Sequence, residues 1–183
     1  MDTDVFPAEA ALHAPGGGGH EPFTRPAVIK DLQAKARELG LWNLFLPHDS
    51  RGGGLTNLQY APLAEITGWV PQLAPEALNC NAPDTGNMEV LTDFGTPEQQ
   101  AQHLAPTLAA DRLWCQLFSE PGAGSDLGGL STKAERDGDD FIVNGQKVWC
   151  SGGRYSDWGI LMARTDPEAK KHDGISFFLC PMD

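Results

Sequence analysis

Basic residues are scarce in this sequence, with 13 Lys plus Arg against 25 Asp plus Glu and a formal net charge of -12. That balance argues against a nucleic-acid or anionic-membrane surface as the main partner, so any phosphate the protein binds must be held locally. Long hydrophobic runs are also lacking. Nothing approaches the ~20 consecutive apolar residues of a membrane span, so a soluble protein with no membrane partner is expected. No apolar signal segment leads the chain, and its acidic start at Asp2 and Asp4 lacks the Arg-rich amphipathic character of a mitochondrial transit peptide. Cysteine is sparse and dispersed: Cys80, Cys115, Cys150 and Cys180 lack the close pairs of a zinc site, which predicts a reduced compartment and no metal centre. Together these absences predict a cytoplasmic, bacterial-type protein, with a mitochondrial or peroxisomal location if it is eukaryotic.

What is present supports a packed protein. The 183 residues are 40% hydrophobic and include five Trp, enough for one large domain or two small ones. Gly16-Gly17-Gly18-Gly19 lies in a Pro- and His-containing stretch and predicts a flexible loop over 14–24. After Pro26, Val28, Ile29, Leu32, Ala36 and Leu39 recur at helical spacing and Gly40 supplies a stop. A turn follows at 50–54. A second helix is predicted over 57–67, with Pro62 blurring its start, and a third over 85–94, closed by Gly95. Thr96-Pro97-Glu98-Gln99 offers a capping hydroxyl, a proline at the first helical position and a glutamine three residues after the cap, so a further helix begins at Pro97.

Beyond Arg112 the pattern changes. Short strands are predicted over 113–119, 131–136, 141–143, 147–150, 158–163 and 175–180, with hairpin signals at Asp137-Gly138 and Asn144-Gly145. The expected fold class is α+β, an all-helical domain over 1–111 followed by an antiparallel β-sheet or barrel domain over 112–183. Asp183 follows directly on a predicted strand, so this second domain is expected to be incomplete.

Two segments carry chemistry. In Phe118-Ser119-Glu120-Pro121-Gly122-Ala123-Gly124-Ser125-Asp126-Leu127-Gly128-Gly129, exposed amides in tight turns can cradle a phosphate, with Ser119 and Ser125 adding hydroxyl donors. The spacing is neither that of a nucleotide-triphosphatase loop nor that of a Rossmann turn, and by composition alone the segment is equally a surface turn. In Trp149-Cys150-Ser151-Gly152-Gly153, an indole beside a hydroxyl suits a flat, hydrogen-bonding ring, with a core Trp at a strand end as the plainer reading.

Ser119-Glu120-Pro121-Gly122-Ala123-Gly124-Ser125-Asp126, then Asn144-Gly145-Gln146-Lys147, then Trp149, in that order and at those separations, closely resemble the acyl-CoA dehydrogenase family. Gly40-Leu41-Trp42-Asn43-Leu44-Phe45-Leu46-Pro47 and Asn81-Ala82-Pro83-Asp84-Thr85-Gly86-Asn87-Met88-Glu89-Val90-Leu91 resemble the branch containing members ten and eleven. The resemblance runs from about Val5 to Asp183. It implies a helical domain, a middle β domain and a second helical domain, with flavin adenine dinucleotide (FAD) between the last two and a fatty acyl-CoA thioester against its ring.

Carried onto this sequence, the resemblance implies cofactor contacts at Gln116, Phe118, Ser119, Gly124, Ser125, Trp149, Cys150 and Ser151, with Ser125 also at the substrate. Gln116 departs from a position often aromatic in relatives. Ser119 and Ser151 stand where threonine is usual, and the hydroxyl survives both changes. The implied reaction removes the α proton with a glutamate base and passes the β hydrogen to flavin as hydride. Electrons then leave through an electron-transfer flavoprotein, and the full-length protein is a homodimer or homotetramer. The glutamate is expected beyond residue 183, so no catalytic residue is assigned here, and the chain alone is expected to retain flavin weakly or not at all and to be inactive.

Glu120 and Asp126 sit beside glycine and proline, where turn-forming or capping roles are expected rather than service as a base. His48 and His103 read as surface or helix-end residues, Cys115 and Cys150 as small hydrophobes on strands, and Arg164-Thr165-Asp166-Pro167 with Lys170, Lys171 and His172 as a solvated turn with at most a minor grip on CoA phosphates. Competing functions are an acyl-CoA oxidase or flavin monooxygenase of the same fold, and a non-catalytic interaction subunit.

Overall fold

The structure is a computed structural model that describes residues 1–14, 26–47 and 49–182. The loop expected over 14–24 lies outside the described residues apart from Ala14, and so does His48. The chain forms two compact units, Met1–Asp111 and Arg112–Asp183.

The first unit is helical: α1 (Val5–His13), α2 (Val28–Glu38), α3 (Asn57–Thr67), the short α4 (Ala74–Ala77), α5 (Asp84–Phe94), α6 (Pro97–Gln99) and α7 (Ala105–Leu108). Helix α2 buries Ile29, Leu32 and Ala36, the stripe its spacing predicts. It ends as the glycine dictates. Gly40 adopts φ +68°, and Leu41 N–H reaches back to Ala36 O at 2.8 Å while Gly40 N–H reaches Arg37 O at 3.1 Å, so two otherwise orphaned carbonyls are satisfied. Helix α3 starts at Asn57 despite Pro62, because Thr56 and Gln59 form a reciprocal capping box. The same device at Thr96 and Gln99 opens α6 where expected. Between α6 and α7 a wide π turn spans Gln100–Leu104, with Ala105 N–H bonded to Gln100 O. Pro106 lacks an N–H and its ring crowds the carbonyl four residues back; the wider turn before it relieves that conflict.

Helix α1 was not expected. Val5, Ala8 and Leu12 pack against the core formed by Ile29, Val70, Leu73 and Ala74, and their three- and four-residue spacing is the sequence signal for it. His103 is also not a surface residue: at 5% exposure it is buried within the π turn.

Buried polar groups tie this unit's connections together. Asn43 and Asn79 both adopt left-handed backbone angles, φ +54° and +53°. Asn79 Nδ2 donates to Asn43 Oδ1 at 2.8 Å and to Thr107 O at 3.0 Å, while Asn43 Nδ2 and Trp42 Nε1 both donate to Leu108 O. Asparagine suits both demands, since it tolerates this backbone region and carries donor and acceptor on a short side chain.

The second unit is an open, mixed sheet of β1 (Trp114–Leu117), β2 (Lys133–Asp137), β3 (Asp140–Asn144), β4 (Trp158–Arg164) and β5 (Ile175–Pro181). A helical unit followed by a sheet unit is the expected order, but the pairing is not purely antiparallel. Strand β4 runs parallel to β1, with Trp114 opposite Trp158 and Leu117 opposite Leu161, and touches β2 in parallel at Lys133 and Arg164. Among the described strands, β2–β3 and β4–β5 are the antiparallel pairs. Turn chemistry reports pairings between sequence neighbours, and the Asp137-Gly138 hairpin forms as expected with Gly138 at φ +64°; the β1–β4 pairing is nonlocal and leaves no such mark.

The second expected hairpin does not form. The chain leaves the sheet after Asn144, and residues 147–150 are not a strand, which removes Cys150 from the strand position expected for it. One sheet face packs Leu117, Ala134, Leu161, Ala163, Phe178 and Cys180 together. Strand alternation turns Gln116, Ile160, Met162 and Phe177 to the other.

Candidate cofactor site

Strand β1 ends at Leu117 and delivers Phe118 edge-on against Phe177 of β5, with ring centroids 5.9 Å apart. The chain then folds on itself: Glu120 N–H donates to Ala123 O at 2.8 Å and Ala123 N–H to Glu120 O at 3.1 Å, which leaves Pro121 and Gly122 at an exposed tip. Ala123 is buried, whereas Gly124, Ser125 and Asp126 face solvent. A short 3-10 turn, Leu127–Gly129, returns the chain to β2.

The Glu120 carboxylate is buried and fully engaged. One oxygen accepts from Ser131 N–H and Oγ, both at 2.7 Å; the other accepts from Thr132 N–H at 2.9 Å and from Lys147 Nζ at 2.8 Å. Burial by itself would raise this carboxyl's pKa, but the Lys147 ammonium and the donors of Ser131 and Thr132 outweigh it and hold the group well below the usual carboxylate range. Lys147 Nζ also donates to Phe118 O at 3.0 Å, and the next residue, Val148, donates its N–H to Ser119 O at 2.9 Å.

Segment 147–149 therefore runs directly beside residues 118–120. The two stretches named from the sequence, 116–125 and 149–151, meet through these bonds. Trp149 is not a core residue: it is 89% exposed and sits at φ +59°, where a bulky side chain is held only by its surroundings. Cys150 is half-buried, its thiol turned to Val148 O at 3.7 Å and its pKa raised by burial against the opposing pull of Lys147. Ser119, Ser125 and Ser151 have hydroxyls with no partner among the described residues, and a Cβ on Gly124 would meet nothing within 4 Å. Gln116 lies on the sheet face shared with Met162 and Phe177, opposite Ile160.

Beside Ser125 opens a cleft of about 380 Å³ lined by Leu127, Gly128, Met162, His172 and Phe177 among others. The segment expected to be a solvated turn closes on this region. Arg164 Nη2 donates to Gly128 O at 2.9 Å, Lys171 Nζ pairs with Asp126 at 2.7 Å, and His172 packs so tightly on Gly128 that a Cβ there would lie 2.6 Å from its ring. A lysine followed by Val148 and Trp149, and a glutamate heading a Pro-Gly turn, are charges in apolar or tightly folded settings, which is the sequence signal for this ion pair.

On adjoining segments the sheet unit therefore presents an exposed indole, an unobstructed glycine and three hydroxyls that have no partner among the described residues. The family profile for the acyl-CoA dehydrogenase N-terminal domain matches residues 20–111, and that for the acyl-CoA dehydrogenase middle domain matches residues 115–183. Over 190 aligned residues the chain is 47% identical to the "Probable acyl-CoA dehydrogenase FadE2" of Mycobacterium tuberculosis, covering 100% of this chain and 45% of that protein. It is 42% identical to acyl-CoA dehydrogenase family member 11 of Mus musculus, covering 100% of this chain and 24% of that protein.

Among solved structures, one assigned as an acyl-CoA dehydrogenase from Mycobacterium abscessus superposes with a TM-score of 0.90 at 40% identity, over 100% of this chain and 47% of that one. A glutaryl-CoA dehydrogenase from Mycobacterium smegmatis in complex with FADH2 superposes at 0.67 with 25% identity, over 100% of this chain and 46% of that one. The chain belongs to the acyl-CoA dehydrogenase family, with the resemblance to members ten and eleven borne out. It spans less than half the length of these relatives.

Proposed function

We propose that the protein serves FAD-dependent α,β-dehydrogenation of fatty acyl-CoA thioesters, and that this chain supplies the flavin-facing part of the sheet unit. The observation that carries the reading is the side-by-side placement of residues 118–120 and 147–149, which brings the exposed Trp149 indole next to the hydroxyl-bearing loop. Bound FAD would supply the acceptor for the substrate's β hydrogen. Trp149 would cover the ring, Ser119 and Ser151 would donate to its polar edge, and Gly124 with Ser125 would hold the pyrophosphate, Ser125 reaching the acyl-CoA as well. Phe118 and Gln116 would complete the surface from the β1 side, and Cys150 from the non-strand segment beside Trp149.

The glutamate base that the family resemblance implies is assigned to no residue of this chain. An electron-transfer flavoprotein as acceptor, homodimeric or homotetrameric assembly and a cytoplasmic location belong to the same proposal. Titration of the purified chain with FAD, followed by indole fluorescence, tests it: weak, saturable quenching that shrinks in Trp149→Phe is expected. Quenching unchanged by that substitution would remove Trp149 from the cofactor and sink the reading.

A further inference from the structure

Nothing in the flavin reading requires Glu120 or Lys147, since neither side chain is exposed. The side chains are 4% and 8% accessible, and their 2.8 Å ion pair links a loop to a segment that lies outside any strand. A buried ion pair is retained at a cost in desolvation, which a pair of apolar side chains would avoid. Its compensation here is connectivity. Glu120 gathers four donors from residues 131, 132 and 147, and Lys147 spans from that carboxylate to Phe118 O. Segment 145–150 has no strand ladder to set its register. Its described ties to residues 118–120 are the two Lys147 bonds and the Val148–Ser119 bond. Trp149, the next residue, is held in a left-handed backbone conformation while nearly fully exposed.

We infer that Glu120 and Lys147 are positioning residues, a buried clamp that sets the register of residues 148–151 against residues 118–125 and so aims Trp149 and Ser151 at the cofactor. The inference rests on the flavin reading for what is aimed, and on the hydrogen bonds alone for the clamp. Without the clamp the Val148–Ser119 bond has nothing beside it to fix its partner, and the left-handed turn at Trp149 relaxes. The sheet, whose ladders do not include these residues, persists.

The test compares the wild-type chain with Glu120→Gln/Lys147→Met, which removes both charges and avoids leaving one buried alone, and with Lys147→Met as the single change. Thermal denaturation establishes that each is folded, amide hydrogen exchange reads the Val148 N–H, and FAD titration reads the surface. For the folded double variant, Val148 protection is expected to fall to that of an open loop, and FAD affinity to fall by about tenfold, the effect of losing about 1.4 kcal/mol of aimed contact. Should Lys147→Met fail to fold, the double variant alone decides. Full Val148 protection in the double variant overturns the clamp. Lost protection with unchanged FAD affinity overturns its role in aiming the cofactor contacts. Absence of FAD binding by the wild type as well, with protection still lost in the variant, leaves the clamp standing and overturns its aiming of cofactor contacts in this chain.

Discussion

Gly145 lies flat against Thr132: a Cβ on Gly145 would sit 2.2 Å from Thr132 Oγ1 and 2.6 Å from Thr132 Cβ. Thr132 cannot yield, because it is 2% exposed and its N–H is committed to Glu120. The chain can pass Thr132, just ahead of β2, on its way to Lys147 only as glycine. Gly145→Ala should therefore cost about 1–3 kcal/mol of stability through overpacking, measured by urea denaturation. Gly124→Ala, which meets open space, should stay within about 0.5 kcal/mol of wild type.

The asparagine pair in the helical unit gives a second expectation. Asn79→Ala orphans Asn43 Oδ1, removes one donor each from the carbonyls of Thr107 and Leu108, which keep others, and puts alanine at φ +53°. A loss of about 2–4 kcal/mol is expected from the one unsatisfied acceptor and the backbone strain together. Asn79→Gly should lose less, because it keeps the backbone conformation free of strain. Equal losses in the two denaturation curves would remove the left-handed backbone from this account.

Acid sensitivity follows from Glu120. Its folded-state pKa is held below the ordinary value of 4.5 despite burial, chiefly by Lys147, so ionisation stabilises the folded state above about pH 4.5. That contribution declines as pH falls below 4.5 toward the folded value. The midpoint of thermal unfolding should drop with pH in this acid range, and drop less steeply in Glu120→Gln/Lys147→Met. Parallel slopes for the two proteins would contradict the assignment.

Trp149 separates a ligand-facing aromatic from a packing one. A buried Trp truncated to a small residue typically costs about 3–5 kcal/mol. At 89% exposure and φ +59°, Trp149→Gly should leave stability unchanged or raise it by about 1 kcal/mol as backbone strain is relieved, while weakening FAD binding. A large loss of stability would restore the core reading.

The helical unit was legible wherever local chemistry decides it. The α2 stripe, the Gly40 stop and the Thr96 capping box are all contained within a dozen residues, and each formed as read. The capping box at Thr56 and the apolar spacing of α1 were equally local and were passed over. The sheet unit was legible in its strands and its Asp137-Gly138 hairpin but not in its β1–β4 pairing, because partners some forty residues apart share no turn. Segment 147–150 has the composition of a strand, and tertiary bonds to Phe118, Ser119 and Glu120 draw it out of the sheet. The same bonds bring together the two stretches named from the sequence. Glu120 and Lys147, which make the connection, were legible as a turn-forming or capping residue and as part of a strand, not as partners, because their pairing spans twenty-seven residues.

The central claim is that residues 116–125 and 149–151 form one flavin-facing surface, and amide NMR of the isotopically labelled chain titrated with FAD tests it most directly. Saturable shifts concentrated on residues 116–125 and 147–151 are predicted, with the amides of α1 to α7 unmoved. Shifts confined to the helical unit, or none in either stretch at the highest soluble FAD concentration, would contradict the account.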